Sequence, residues 1–281
     1  MSIVTRFAPS PTGYLHLGHA ASAMAGHDLA RGAGGRFLLR LEDIDAGRCR
    51  PGFAEAILED LAWLGLAWDG AVRVQSAHFD EYRAALARLE AMGLLYRCFC
   101  TRAAIAAALG APHGAEAAYP GTCRGLDQAL ADARAAQGEP YALRLRMDRA
   151  AAMAGRLRYH EAAEGWVEAD PRPHGDVVLA RKDVPASYHL CVCHDDAAQE
   201  VTHVTRGEDL RAATDVHVLL QALLGWPHPA YAHHPLIRDA AGRRLAKRDR
   251  AATLRDLRDA GATPAQIREM VSCRIGDLAS L

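Results

Sequence analysis

The spacing of apolar positions changes several times along the chain, and each change marks an element. Ile3 to Ala8 is short and mostly apolar, and Pro9, Pro11 and Gly13 break it, which predicts a buried strand running into a turn. Leu17 to Arg31 is alanine-rich, with Leu17, Ala21, Met24 and Leu29 available for one face, so a helix is predicted. Gly32, Gly34 and Gly35 end it. Arg36 to Leu41 (RFLLRL) predicts a second strand, apolar enough for a sheet interior. Strand, helix and strand in succession form a βαβ unit, the building block of a parallel sheet. Helices are predicted over Phe53 to Leu64 and Phe79 to Met92.

From Arg97 to about Gly138 the pattern dissolves into small residues with Cys98, Cys100, Cys123 and the turn signal Tyr119-Pro120-Gly121, as in an inserted subdomain. Strands or hairpins are predicted over Tyr141 to Met147 and Leu157 to Val167. Strands follow over Val177 to Ala180, Tyr188 to Cys193 and Val201 to Val204, then a helix over Ala212 to Leu224. Two short helices, divided near Gly261 and Pro264, are predicted between Thr253 and Cys273.

Composition narrows the class. A chain of 281 residues, 50% hydrophobic, can bury a sizeable core as one large domain or one domain with an insertion. The net charge of -1 names no partner, but its distribution is uneven. Arg238, Arg243, Arg244, Lys247, Arg248, Arg250, Arg255 and Arg258 follow one another closely, as on a solvated helix face or beside an anionic ligand. Arg6 and the turn residues after it interrupt any signal-peptide core, and no apolar run approaches the ~20 residues that span a membrane. With an odd seven cysteines, the composition suits a cytoplasmic protein with reduced thiols, some of them bound to metal.

His16 and His19 stand three apart at the start of the first predicted helix, so they share a face. A helix N-terminus presents unpaired N–H groups and partial positive charge, which suits phosphate, and two imidazoles there can donate to phosphate oxygens as charge builds. An isolated His-x-x-His pair is most often two surface histidines; the strand–turn–helix setting decides for phosphate here. The string Arg6-Phe7-Ala8-Pro9-Ser10-Pro11-Thr12-Gly13 followed by His16-Leu17-Gly18-His19 resembles the HIGH signature of class I aminoacyl-tRNA synthetases, in the form of the glutamyl and glutaminyl branch. That resemblance implies an α/β fold: a Rossmann-type catalytic domain in two halves, residues 1–96 and 171–250. Residues 97–170 would form an inserted zinc-containing subdomain and residues 251–281 a short helical tail.

The same resemblance places a KMSKS-type loop at Gly242-Arg243-Arg244-Leu245-Ala246-Lys247-Arg248, with Lys247 stabilising the pyrophosphate leaving group. Arg244 stands for the first lysine and keeps its charge; Ala246 stands for the serine and lacks its hydroxyl. The implied ATP-binding residues are His16, Gly18, His19, Arg244, Leu245 and Lys247, with His16, His19 and Lys247 catalytic and Mg2+ accompanying ATP. The implied L-glutamate site comprises Arg6, Phe7, Ala8, Pro9, Ser10, Glu42, Tyr188 and Arg206. Position supports part of this: Arg6 and Glu42 lie at the carboxyl ends of the first two predicted strands, where ligands bind in doubly wound sheets. Glu42 suits a substrate ammonium and Arg6 a carboxylate, although Glu42-Asp43-Ile44-Asp45 also reads as a solvated acidic turn.

Cys98-x-Cys100 with Tyr119-x-x-x-Cys123 supplies three thiolates for a tetrahedral zinc site. His113 is the ordinary chemical choice for the fourth donor, and Tyr119 is the one implied by the family described next. Cys191-x-Cys193-His194 is a rival, but its alternation suits core cysteines on a half-buried strand. After Arg248 only Asp249 to Leu281 remain, too short for an anticodon-binding domain. Nearly the whole chain therefore resembles the glutamyl-queuosine tRNA(Asp) synthetases, truncated paralogues of glutamyl-tRNA synthetase. The resemblance implies tRNA-independent activation of glutamate and its transfer to queuosine in the anticodon loop of tRNA(Asp), by a monomer with no membrane partner. A minimal glutamyl-tRNA synthetase and a non-catalytic RNA-binding module with the same fold are the other readings.

Overall fold

The computed structural model describes residues 2–101, 103–105, 119–237 and 252–275. The first βαβ unit forms as expected: β1 (Val4–Phe7), α1 (Leu17–Gly32) and β2 (Arg36–Leu41), with β1 and β2 parallel and Val4 opposite Arg36. Two glycines permit this unit. A Cβ on Gly26 would meet Thr205 Oγ1 at 2.9 Å and the Phe37 ring at 3.3 Å, so the missing side chain lets α1 approach the sheet closely there. A Cβ on Gly18 would press on the His16 ring at 3.0 Å.

Helix α2 (Pro51–Trp63), with proline in its first turn, leads to the short strand β3 (Arg73–Val74), parallel to β2. Helix α3 (Phe79–Ala91) and β4 (Leu95–Cys98) follow. Beyond the cysteines come α4 (Gln128–Ala136), β5 (Ala142–Leu145), α5 (Met147–Ala154) and the hairpin β6 (Leu157–Glu161) with β7 (Gly165–Ala169). Strand β8 (Val178–Ala180) joins β4 and β5 in a three-stranded sheet of order β4-β5-β8. Helices α4 and α5 were not foreseen, and the strand expected up to Met147 stops at Leu145 because Met147 opens a helix. The signal for α5 was weak: its alanine-rich eight residues bury just Met147, Ala150 and Ala151.

One expectation is overturned. Tyr188 to Cys193 is helical, the first half of α6 (Tyr188–Ala198). Leu190, Cys191, Val192 and Cys193 are all buried, as are Asp195 and Asp196. A helix covered on several sides loses the polar face that would reveal its period, and a short apolar run is then equally compatible with a strand. The remaining elements are β9 (His203–Gly207), α7 (Ala213–Leu224), the unanticipated β10 (Ala230–His234), α8 (Leu254–Asp259) and α9 (Pro264–Ile275).

A second parallel set runs β9-β10-β6, with β7 antiparallel at the edge. It adjoins the first at one seam, where the Thr202 N–H donates to the Val4 carbonyl at 2.9 Å and the Val4 N–H to Thr202 Oγ1 at 2.8 Å. From β1 the chain thus builds outward through β2 on one side and through β9 and β10 on the other. The seam between β1 and β9 is a topological switch point, where doubly wound sheets place their ligands. The tail helices close over α1: Leu254, Ile267 and Val271 are buried in the same core as Ala20, Ala21 and Met24, and Leu254 N–H donates to the Leu15 carbonyl at 2.8 Å. Among the described residues no helix is long and apolar enough to cross a membrane.

Candidate active site at the switch point

A cavity of about 340 Å³ opens at the carboxyl ends of β1 and β9, within the size range of small-molecule sites. Its walls include every residue expected at the amino-acid site: Arg6 to Ser10 from β1 and its turn, Glu42 after β2, Tyr188 at the start of α6 and Arg206 on β9. His16, Gly18 and His19 line it from the start of α1. Sequence separation hides this convergence, because the contributing segments lie up to 200 residues apart. The expected loop residues Arg244, Leu245 and Lys247 lie outside the described residues.

The two histidines of the signature are themselves the cap of α1. His16 is the N-cap, and its Nδ1 accepts the Gly18 N–H at 3.1 Å; His19 Nδ1 accepts the His16 N–H at 3.1 Å. With Nδ1 an acceptor in both rings, each neutral imidazole carries its proton on Nε2. The rings lie 3.9 Å apart between centroids. Capping thus fixes two ring N–H donors at a helix N-terminus whose partial positive charge already suits phosphate.

Beneath Arg6 lies a buried ionic cluster. Arg6 Nε donates to Asp196 Oδ1 at 3.0 Å, and Arg40 donates to the same oxygen at 2.8 Å. Neighbouring Asp195 accepts from Arg73 at 2.8 Å, from Gln75 at 2.8 Å and from the Tyr82 hydroxyl at 3.0 Å. Glu42 Oε1 lies 3.7 Å from Arg40 Nε. Burial pushes the Glu42 carboxyl up to about 7, against the pull of Arg40 and Arg6. Arg40, Asp195 and Asp196 were missed by sequence reasoning. The available signals were an arginine inside the otherwise apolar RFLLRL strand and two acids within a helix that buries most of its length.

Arg206 is held differently. Its Nε donates to His233 Nε2 at 3.1 Å, one terminal nitrogen donates to His217 Nδ1 at 3.1 Å, and the other donates to Thr214 Oγ1 at 2.7 Å. No carboxylate among the described residues pairs with it directly. Burial drives the His217 imidazole well below its ordinary value, with the Arg206 charge adding to the effect, so the ring is neutral. His217, His233 and Thr214 were also missed; their segments carry no local pattern beyond that of a buried helix and strand.

The second constellation lies past β4. The sulfurs of Cys98, Cys100 and Cys123 all fall within 4.8 Å of one another. The Tyr119 hydroxyl stands 3.4 Å from Cys98 Sγ and 3.5 Å from Cys100 Sγ, and Cys100 and Cys123 Sγ are 3.5 Å apart. A tetrahedral zinc with bonds of ~2.3 Å to sulfur and ~2.0 Å to oxygen requires ligand–ligand edges of roughly 3.5–3.8 Å. Thiolates suit that ion, and these three separations match such edges. His113 lies outside the described residues. Cys191 and Cys193 are buried along α6, and among the described residues neither belongs to a group of three metal-ligating side chains.

Comparison with known proteins places this geometry. Residues 2–276 match the family of class I tRNA synthetases (E and Q), catalytic domain. The chain is 54% identical over 280 residues to the glutamyl-Q tRNA(Asp) synthetase of Rhodobacter capsulatus, covering 96% of this chain and 99% of that one. It is 46% identical to the protein of the same name from Nocardia farcinica, covering 96% and 84%. Among solved structures it resembles a glutamate tRNA ligase from Elizabethkingia meningosepticum in complex with its amino acid. That match has 26% identity and a TM-score of 0.82, over all of this chain and 66% of the other. The chain belongs to the class I tRNA synthetases of the E and Q group, matching their catalytic domain.

Proposed function

We propose that the chain activates L-glutamate with ATP and transfers the glutamyl group to queuosine in the anticodon loop of tRNA(Asp), acting in the cytoplasm as a monomer. The observation that carries the amino-acid half is the meeting of Arg6, Arg206, Tyr188 and Glu42 in one cavity that continues to the capped N-terminus of α1. Two guanidiniums and a phenol suit the two carboxylates of glutamate, and a carboxylate at Glu42 suits its ammonium. In the activation step a substrate carboxylate oxygen attacks the α-phosphorus of ATP. A P–O bond forms, the bond to the pyrophosphate oxygen breaks, and pyrophosphate leaves with the electron pair; Mg2+ bound with ATP would offset the charge of the phosphates. The Nε2–H groups of His16 and His19 are positioned to donate to phosphate oxygens as charge shifts, with Lys247 assigned to the leaving group and Arg244 to ATP binding. The acceptor half rests on the relatives, which carry the glutamyl-Q tRNA(Asp) synthetase name at 42–54% identity over nearly the whole chain.

Cys98, Cys100, Tyr119 and Cys123 are proposed as ligands of one structural zinc, whose role is to hold the inserted segment's shape rather than to take part in catalysis. Elemental analysis is expected to give one zinc per chain, and Cys123→Ser to lose it.

The test of the whole reading is ATP–pyrophosphate exchange with glutamate and no tRNA, followed by labelled-glutamate transfer to tRNA(Asp) with and without queuosine. Exchange without tRNA and transfer only to the queuosine-containing tRNA are expected. No exchange with zinc and magnesium present would overturn the activation step. Transfer to a tRNA 3′ end would overturn the acceptor and favour a minimal glutamyl-tRNA synthetase.

A further inference from the structure

Behind Arg206 runs a chain of hydrogen bonds whose proton positions are determined. An arginine has no acceptor, so both histidine nitrogens that meet it must be bare. His233 therefore receives Arg206 Nε–H on Nε2 and carries its own proton on Nδ1, which points at Glu161 Oε2, 2.6 Å away. The Thr214 hydroxyl, 3.4 Å from the same Nε2, is compatible with that assignment. Glu161 also accepts the backbone N–H of His233 on its other oxygen at 3.0 Å. On the opposite side His217 receives Arg206 on Nδ1, so its Nε2–H faces His189 Nδ1 at 3.2 Å. Glu161 and His233 are each only 2% exposed at the side chain, so water does not offer them alternative partners.

We propose that Glu161 and His233 are positioning residues for the amino-acid site: Glu161 locks the His233 tautomer, and the two orient Arg206 while His217 braces it, leaving its charge uncompensated for a substrate carboxylate. The inference rests on the glutamate reading of the cavity. Of the five N–H groups of Arg206, three are engaged by His233, His217 and Thr214, which leaves one on each terminal nitrogen. A carboxylate bonded directly to the guanidinium would fix it equally well but would compete with the substrate. A neutral imidazole fixes it without competing, and the carboxylate that fixes the imidazole stands one ring further back.

Glu161→Gln is a nearly isosteric test. A carboxylate accepts two N–H groups, but an amide has only one oxygen. The backbone N–H of His233 cannot change, so it retains that oxygen, and the amide NH2 then faces Nδ1. The ring must move its proton to Nε2, where it opposes the N–H of Arg206. The expected result in the exchange assay is a KM for glutamate raised about ten- to hundredfold, with kcat within about threefold and KM for ATP unchanged. His233→Leu should behave likewise. His233→Gln, whose amide oxygen can accept from Arg206, should recover most of the loss. An independent readout is the imidazole ¹⁵N spectrum of the unsubstituted protein, assigned with His233→Gln, in which His233 should be protonated on Nδ1 and bare on Nε2. An unchanged glutamate KM in Glu161→Gln, or a His233 proton found on Nε2 in the unsubstituted protein, overturns the proposal. If Glu161→Gln does not fold, the ¹⁵N spectrum and the His233 pair decide it. If the unsubstituted protein shows no glutamate-dependent exchange, the reading of the cavity falls while the spectrum still judges the lock.

Discussion

Two arginines face the same cavity from opposite sides of the β1–β9 seam, and their surroundings are electrostatic opposites. Arg6 bonds Asp196, which also holds Arg40, beside Asp195, Arg73 and Glu42. Arg206 is held by two imidazoles and a hydroxyl, with its nearest supporting carboxylate behind His233. In the first region the positive charges are balanced within the fold, so the cluster serves as scaffold as well as cavity wall, and its members depend on one another. In the second the charge is oriented but unbalanced, so its natural complement is an incoming anion. Charge count alone would rank the two arginines equal; the neighbours set their roles.

This contrast can be broken in several places. The largest effect is expected from Asp196→Ala, which removes the carboxylate that two buried guanidiniums share. Breaking a buried pair from one side costs about 3–5 kcal/mol, so denaturant unfolding should show a loss of that order. A loss below about 1 kcal/mol would mean that the cluster is not scaffold. Next comes Arg206→Lys, which keeps the charge but loses the planar fork. Glutamate-dependent kcat/KM should fall about a hundredfold, with stability changed by less than about 1 kcal/mol because the partners are neutral. Equal damage to folding would erase the distinction between the two regions.

A pH series sharpens the comparison further. Burial favours the neutral form of Glu42, raising its carboxyl from an ordinary 4.5 to about 7. That contribution to stability is fully present below pH 4.5 and is lost as pH rises through about 7. Glu42→Gln should therefore be more stable than the unsubstituted protein at pH 8, by on the order of 2 kcal/mol, and no more stable at pH 4. Activity should run the other way: only the carboxylate attracts an ammonium, so the KM for glutamate should fall as pH rises through about 7. The smallest effect is reserved for a control, the exposed Arg156–Glu168 pair at 2.7 Å, whose side chains are 82% and 58% exposed. Arg156→Ala should leave both the unfolding midpoint and the exchange rate unchanged within error, because solvent screens such a pair.

Legibility followed local information. The first βαβ unit and the helices beginning near Phe53 and Phe79 could be read because Pro or Gly marks their ends, as Pro51 and Gly65 do for the first helix and Gly93 for the second. The end of the cavity proposed for phosphate was legible as well, since His16, Gly18 and His19 lie within one turn of helix and line the cavity together. The ionic cluster and the cradle of Arg206 were not. Asp196 meets Arg6 across 190 positions and Glu161 meets His233 across 72, and neither pair leaves a mark in either segment. Tyr188 to Cys193 shows the same limit in secondary structure. Its apolar run was compatible with a strand, and what makes it helical is the packing of α6 among neighbours that cover most of its surface.

By itself the sequence determined the elements that local geometry dictates: the parallel βαβ opening, with its helix beginning at the signature histidines, and the spacing of three cysteines and a tyrosine. It also carried the residue types that a dicarboxylate and a phosphate require. Only the tertiary structure decided which arginine would be paired with a carboxylate and which held by neutral groups. The reason is physical. A guanidinium's availability depends on what stands within about 4 Å of it, and here those neighbours come from separate strands and helices that only the tertiary fold brings together.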